Sequence, residues 1–336
     1  MFEDKKILIT GGTGSLGKAL ARRLLRHDPK IIRIYSRNEF NQTRMRREFN
    51  DDKRMRFFLG DIRDYFRLVR AMEDTDIVFH TAALKDVVGI EYNPFESIKT
   101  NVVGSQNVID ACREAGVGLA VAVSTDKAVA PLNVYGATKL LMEKLFTSAT
   151  NYVDKDRHPT RFIGIRYGNV LGSNGSVAPK FIEQIRAKKP ITITDPGMTR
   201  FNITMDEALD FILGSASKRK DSVVFVPKLK AYNIMDLRDA LFEMLGSTEC
   251  TTGRIRAGEK LAEVLISSDE MRNTLEADRD YIITKEADRD RDPEAEHPGY
   301  RRARGDSVYS SANADKLTKA EMIEMLRPLV ERPADY

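Results

Sequence analysis

The stretch "KILITGGTGSLGKALARRLLRH", Lys6–His27, decides the fold. A β-branched run, a glycine-dense turn and an amphipathic run follow one another with nothing between them. In the last of these Leu16, Leu20 and Leu24 recur every four residues, giving one apolar stripe to lay on a sheet. Between strand and helix, Gly11, Gly14 and Gly17 stand in a G-x-x-G-x-x-G spacing, with Thr13, Ser15 and Leu16 filling the turn. Glycine permits positive φ, close approach of a pyrophosphate and tight helix packing, while the helix N-terminus offers N–H donors and a positive dipole. Such a pattern means little alone, but here it follows a strand and opens a helix, the context a dinucleotide site requires. A tight strand-to-helix turn without a ligand is the minor alternative.

Outward from this unit the rhythm repeats. "IIRIYS", "MRFFLGD", "DIVFHTAA", a helix over about Asn101–Ala115, and "LAVAVST" alternate short apolar runs with longer amphipathic ones. That pattern predicts an α/β fold, a Rossmann-type doubly wound parallel sheet. We expect residues 1–170 to form this domain, with later segments returning to it, and residues 171–336 to form mainly a smaller mixed α/β substrate lobe and a C-terminal tail. Helices are expected at Asp206–Ser217 and Ile234–Leu245, a strand at "SVVFVP", and a terminal helix packed by Met322, Ile323 and Leu326. The charge-dense Leu275–Asp306 region, with "EADRD" at 276 and again at 286, reads as a solvated loop or lid.

Composition narrows the function. A chain of 336 residues with 42% hydrophobic and 31% charged residues is that of a globular protein with two lobes. Its net charge of +4 is spread over 54 basic and 50 acidic residues, which fits a small anionic ligand and no nucleic-acid surface. No apolar run reaches the roughly 18 residues of a membrane span and "MFEDKK" lacks a signal-peptide core, so a cytoplasmic protein without membrane contact is expected. Cys112 and Cys250 lack metal spacing, and His27, His80, His158 and His297 are scattered, so no metal site is expected.

The second strand ends in "IYSRNEF", where a carboxylate would bind a ribose 2′-hydroxyl and an Arg a 2′-phosphate. Ser36, Arg37 and Asn38 stand there, with Arg44 and Arg46 downstream, which favours NADP over NAD; Glu39 is the competing carboxylate. Asp61 and Ile62, at the end of the third strand, suit the flanks of an adenine, or equally a plain strand-end turn.

The chemistry concentrates in "STDKAVAPLNVYGATK", Ser124–Lys139. Tyr135 and Lys139 lie one helical turn apart, where an ammonium lowers a phenol's pKa and lets it exchange a carbinol proton during hydride transfer. Thr125, at the end of the preceding strand, is placed to hydrogen-bond the same substrate oxygen. Asp126 and Lys127 follow at once, a second acid/base pair. The bland reading of that pair is a solvated turn or a salt bridge shaping the loop.

GGTGSLG, "TNVVGSQNV" at Thr100, "YGATK" and "RYGNVLG" together resemble the extended short-chain dehydrogenase/reductase superfamily. Over nearly the whole chain, STDKA, Ala82–Lys85 (AALK), Tyr92–Pro94, Met198–Phe201 (MTRF), Gly258–Leu261 (GEKL) and Tyr309–Ser311 are similar to one branch, the UDP-N-acetylglucosamine 4,6-dehydratases that invert C5. The resemblance implies oxidation at C4, elimination of water across C5 and C6, and hydride return to C6, giving UDP-2-acetamido-2,6-dideoxy-β-L-arabino-hexos-4-ulose for surface glycans. It implies Thr125, Tyr135 and Lys139 acting at C4, Lys127 as the C5 base with a pKa pulled below about 10.4, and Asp126 as the acid with a raised one. It implies Ala82, Ala83 and Lys85 beside the cofactor, and Lys85, Asp86, Asn169, Lys180, Thr194, Met198, Arg200, Arg256 and Glu259 around a UDP-sugar. Self-association as a dimer or hexamer is implied as well.

The branch's usual residues are replaced at Asp86, Asn202, Ala257 and Ala262, close to the sugar. These departures leave the ligand open between UDP-GlcNAc and another UDP-hexose. They also leave two alternatives, a UDP-sugar 4-epimerase and a non-catalytic NADP-binding regulator; retention of Tyr135 and Lys139 argues against the latter.

Overall fold

Strands buried on both faces need apolar residues at every position, and this is what places them at the centre. In β1 (Lys6–Thr10), β2 (Ile31–Ser36), β3 (Met55–Leu59), β4 (Ile77–His80), β5 (Leu119–Val123) and β6 (Arg161–Ile165), alternate side chains enter two separate cores. Ile7 and Ile9 join Leu20, Leu24 and Ile212 on one face; Leu8 joins Leu68, Val108 and Phe146 on the other. The computed structural model describes residues 1–151, 158–172, 176–255, 258–285, 292–303 and 308–331.

The remaining strands are β7 (Asn169–Val170), β8 (Ile191–Ile193), β9 (Thr199–Ile203), β10 (Val223–Pro227), β11 (Ala231–Asn233), β12 (Cys250–Thr252), β13 (Val264–Ile266), β14 (Thr274–Glu276), β15 (Asp280–Ile283), β16 (Arg301–Arg302) and β17 (Tyr309–Ser310). The main sheet runs β16-β14-β15-β10-β6-β5-β4-β1-β2-β3. From β10 to β3 every pairing is parallel, and β14, β15 and β16 add on antiparallel. Strand order reverses beside β1, so the crevice at the carboxyl ends of β1, β4 and β5 lies where such sheets bind ligands. Three small sheets, β11-β9-β7, β12-β8 and β13-β17, build the other wall. Its core of Phe181, Ile193, Met198, Leu237, Leu241, Met322 and Leu326 unites the helices Val177–Arg186, Ile234–Leu245 and Lys319–Val330.

The Leu275–Asp306 region corrects the expectation of a loop or lid. Its described part holds β14, β15, β16 and a short helix, Pro293–Glu296. The first EADRD turns the β14–β15 hairpin, and Asp280 is buried there by bonds from Lys218 Nζ (2.6 Å) and the Tyr300 hydroxyl (2.8 Å). Charges with partners elsewhere in the chain are compatible with a strand, a fact that local composition does not carry. The second EADRD lies outside the described residues. The helix expected over Asn101–Ala115 is α-helical over Gly104–Glu114 and enters through wider π turns at Ile98–Val103.

Cys112 is buried and Cys250 exposed, both free thiols, and no group of His, Cys, Asp or Glu among the described residues is arranged to hold a metal. His80 is a core residue: its ring nitrogens bond Thr10 Oγ1 (2.8 Å) and Ser105 Oγ (2.9 Å), and burial, aided by the Lys139 charge, pushes its pKa down to about 3. No helix among the described residues is long and apolar enough to cross a membrane.

Candidate active site

Two cavities meet at Thr125, Tyr135 and Asn169. The first, about 480 Å³, is lined by the glycine turn, the ends of β2 and β3, and the loop after β4. Gly11 sits at φ +66° with its missing Cβ 2.7 Å from Ala82 Cα, and a Cβ on Gly17 would lie 2.6 Å from Gly12 Cα. Only glycine lets these three segments converge. Gly14 stands at the N-cap of the helix Ser15–Leu25 and brings no side chain between the first-turn N–H groups and the cleft. Such a cradle fits a dinucleotide pyrophosphate. Thr13, Ser15, Leu16, Ser36, Arg37, Asn38, Asp61, Ile62, Ala82, Ala83 and Lys85 all line it.

Arg44 and Arg46, expected to favour NADP, do not line this cleft. Arg44 pairs with Glu48 on its own helix (3.6 Å), and the Arg46 guanidinium lies over the Phe57 ring, 5.1 Å from its centre. Helical geometry turned them away, because the chain becomes helix at Glu39. Glu39, the competing carboxylate, is not part of the lining either. Arg37 is the guanidinium at the cleft; it is half exposed and 3.7 Å from Asp61, which Arg63 already holds at 2.7 Å.

The second cavity, about 490 Å³, lies between the sheet's carboxyl edge and the smaller lobe. Lys127, Lys180, Thr194, Met198, Arg200, Asn202, Glu259 and Glu263 line it, with Lys85, Thr125, Tyr135 and Asn169 shared with the first. Asp86 does not: it is exposed at the start of the short helix Val87–Tyr92. Ala262 pairs by backbone with Thr199, and Arg256 and Ala257 lie outside the described residues.

Between the cavities the reactive segment folds as a strand end, a 3-10 turn (Asp126–Ala128) and a helix (Val134–Ser148). Asn133 caps that helix through the Gly136 N–H (2.8 Å) and donates to Gly258 O (3.1 Å), tying the tyrosine's helix to the GEKL loop. A side chain at Gly136 would strike Lys127 O at 2.1 Å, so glycine lets turn and helix touch. Asn101, in the quoted TNVVGSQNV, bonds both Leu84 N and O and the Thr138 hydroxyl, fixing the AALK loop against the same helix. An internal asparagine in an apolar helix was the available signal for that role.

Lys139 Nζ donates to Val123 O (2.5 Å), and burial pushes its pKa down to about 8. The Tyr135 phenol is pushed up to about 12 by burial; the cation that pulls it back is Lys127, not Lys139 as expected. Asp126 is fully buried, and its Oδ1 accepts from the Thr125 hydroxyl (2.8 Å) and from Lys127 Nζ (3.1 Å). Lys127 Nζ also reaches Asn169 Oδ1 (3.3 Å) and Glu263 Oε1 (3.5 Å). Its pKa runs opposite to expectation. Burial alone would lower it, but the charges of Asp126 and Glu263 outweigh burial and raise it. Only the three-dimensional structure brings Glu263 there.

Beneath the site Arg166 is buried between two carboxylates, Glu143 on the tyrosine's helix (2.6 and 3.0 Å) and Glu270 (2.7 and 3.0 Å), and donates to Leu265 O (2.8 Å). Neither the clamp nor Glu263 was singled out from the sequence, although Arg166 opens the quoted RYGNVLG and Glu263 follows GEKL by two residues.

Comparison with known proteins agrees with this layout. The family model described as polysaccharide biosynthesis protein matches residues 7–285. An inverting UDP-N-acetylglucosamine 4,6-dehydratase of Campylobacter jejuni is 48% identical over 87% of this chain and 87% of its own. A UDP-glucose 4-epimerase of Rickettsia felis is 43% identical over 81% of this chain and 80% of its own. The X-ray structure of Pen from Bacillus thuringiensis superposes with a TM-score of 0.87 at 37% identity, over 97% of this chain and 99% of that one. The family match over residues 7–285 and a relative 48% identical over most of both chains lead to one conclusion: the chain belongs to the polysaccharide biosynthesis protein family.

Proposed function

We propose that this chain is an inverting UDP-N-acetylglucosamine 4,6-dehydratase that uses NADP. The observation that carries the reading is Lys127: an amine on the wall of the second cavity, beside Tyr135 and bonded to a buried carboxylate. A 4-epimerase needs proton exchange at O4 alone, for which Thr125, Tyr135 and Lys139 suffice. Elimination needs a base at C5 and an acid at O6 as well. The 48% identical Campylobacter relative supports the same choice.

The residues lining the first cavity would hold the dinucleotide, which would supply a hydride acceptor for C4 and the hydride returned to C6. Tyr135 takes the O4 proton while Thr125 holds that oxygen. The ketone then acidifies H5, which Lys127 removes, and Asp126 relays a proton from Lys127 to the C6 oxygen, which leaves as water; return of the proton held by Tyr135 to the opposite face of C5 inverts it. Asn169, Lys180 and Arg200 bind the diphosphate, and Glu259 the ribose hydroxyls. Incubation with UDP-GlcNAc should give a product lighter by one water, with C5 inverted by NMR. An unchanged mass with new C4 stereochemistry would overturn the reading in favour of epimerisation.

The preference for NADP rests on Arg37. Replacing Arg37 by Ala should weaken NADP binding about 10- to 100-fold, the worth of a hydrogen bond to a charged group, and leave NAD binding nearly unchanged. Equal losses for both dinucleotides in a fluorescence titration would refute it.

A further inference from the structure

Resting on the dehydratase reading, we propose that Glu263 is a third member of the proton-handling group: it accepts the ammonium proton of Lys127, so that Lys127 meets H5 as the free amine. The problem is posed by the site itself. Lys127 is held as an ammonium between two carboxylates, and an ammonium has no electron pair with which to take a proton.

Glu263 is built for that acceptance. It stands just before β13, 4% exposed, with its backbone fixed by Ser311: the Glu263 N–H donates to Ser311 Oγ (2.9 Å) and the Ser311 N–H to Glu263 O (2.8 Å). Ser311 Oγ is itself within 2.8 Å of the Thr199 hydroxyl, so the carboxylate is presented from a fixed support. Its Oε1 lies 3.5 Å from Lys127 Nζ and 4.0 Å from Arg200 Nε, and its buried Oε2 has no hydrogen-bond partner among the described residues. Asp126 is the other neighbour, but its Oδ1 already accepts from two donors. A carboxylate that receives fewer hydrogen bonds loses less on protonation. The charged groups facing Glu263 are Asp126 and Lys127 from the turn, Arg200 from β9 and Lys260 from its own segment; burial and the Asp126 charge prevail and raise its pKa.

Arg200 links this step to binding. It touches both Glu259 (3.5 Å) and Glu263 (4.0 Å), and a diphosphate drawn to Arg200 competes for that charge. Glu263 then keeps less cationic company, which favours its protonated form at the moment the sugar arrives.

The protons balance. The Lys127 N–H bond breaks and a Glu263 O–H bond forms, leaving the electron pair on Nζ. H5 restores the ammonium; Lys127 then passes a proton to Asp126 Oδ1, 3.1 Å away, and Asp126 hands it to the C6 oxygen as the C6–O bond breaks and water leaves. The proton held on Glu263 returns to Lys127, and the three groups end as they began.

The test is Glu263→Gln, which keeps the shape and removes the proton acceptor. With UDP-GlcNAc and NADP, reduction of the nicotinamide should persist, while exchange of H5 with deuterated solvent and loss of water fall at least about 100-fold. Activity of the variant should rise about tenfold per pH unit on the alkaline side, as solvent deprotonates Lys127 instead. Glu263→Asp, which keeps a carboxylate, should retain the break on the acidic side of the wild-type kcat profile, and in Glu263→Gln that break should give way to one continuous rise toward alkaline pH. A Gln variant that exchanges H5 at the wild-type rate overturns the proposal, as does one that loses nicotinamide reduction and dehydration together at every pH. Misfolding of both variants, seen by circular dichroism, would make Glu263 a structural residue and overturn it too. Wild-type protein that oxidises C4 without exchanging H5 overturns the dehydratase reading, whereas failure in the variants alone overturns only the role of Glu263.

Discussion

Lys127→Ala is expected to separate the two halves of the reaction. In the proposed reaction oxidation at C4 falls to Thr125, Tyr135 and Lys139, none of which the substitution removes, so nicotinamide reduction on mixing with UDP-GlcNAc should persist. Loss of water should fall about 10²- to 10⁴-fold, the usual worth of a positioned base, and exchange of H5 into solvent should stop. The C4 step should not be untouched. Lys127 is the cation that pulls down the Tyr135 phenol, which burial holds up at about 12. Without that charge the phenol's pKa rises further, so less tyrosinate is present at any given pH and the C4 step should shift to more alkaline pH. Lys127→Arg keeps the positive charge against Asp126 and Glu263 but supplies no base at accessible pH. It should therefore preserve the C4 profile and still fail to dehydrate. Wild-type rates of water loss in either variant, read by mass spectrometry of the product, would refute Lys127 as the base.

What the sequence made legible divides along the length scale of the contacts. The cradle could be read because strand, turn and helix are contiguous, and Gly17 is demanded by a 2.6 Å approach to Gly12 within that unit, whereas the 2.7 Å approach of Gly11 to Ala82 is a tertiary contact. Thr125, Lys127, Tyr135 and Lys139 were legible for the same reason, lying in one segment of strand end, turn and helix. The state of Lys127 was not. Its charge depends on Glu263, far along the chain, and the sign of its pKa shift reversed once that carboxylate was in place. Arg44 and Arg46 were misplaced by counting along the sequence across a point where helix begins and side chains fan out around an axis. The region after Leu275 was misjudged because charge density says nothing about partners, and Asp280 finds its own in Lys218 and Tyr300. Tertiary contacts thus decided protonation and partner choice, while local pattern decided which residues stand at the site.

The same distinction yields the largest expected effect on stability. Arg166→Met leaves Glu143 and Glu270 buried without the guanidinium that joins them, and should cost about 3–5 kcal/mol in urea denaturation, the range for breaking a buried ion network from one side. The cause would be the stranded charges, since Met fills much of the space. Two consequences separate this from a simple packing defect. Adding Glu143→Gln and Glu270→Gln to Arg166→Met should recover much of the loss, because removing all charges removes the desolvation penalty as well. The deficit should also narrow as pH falls. In the wild type Arg166 outweighs burial and holds the Glu270 carboxyl below its ordinary value, so the stability it contributes is present above the unfolded pKa of about 4.3 and is lost as pH drops through the lower folded value. In the variant, burial without a cation raises the folded pKa, so the penalty is full above that value and is relieved as the stranded carboxyl takes a proton. Wild type and variant therefore converge toward acid. A gap under about 1 kcal/mol at neutral pH, or one of constant size down to pH about 4, would mean that Arg166 contributes volume and not charge. Because Glu143 lies on the helix of Tyr135 and Lys139, the clamp ties the stability of the sheet's edge to the position of the reactive tyrosine.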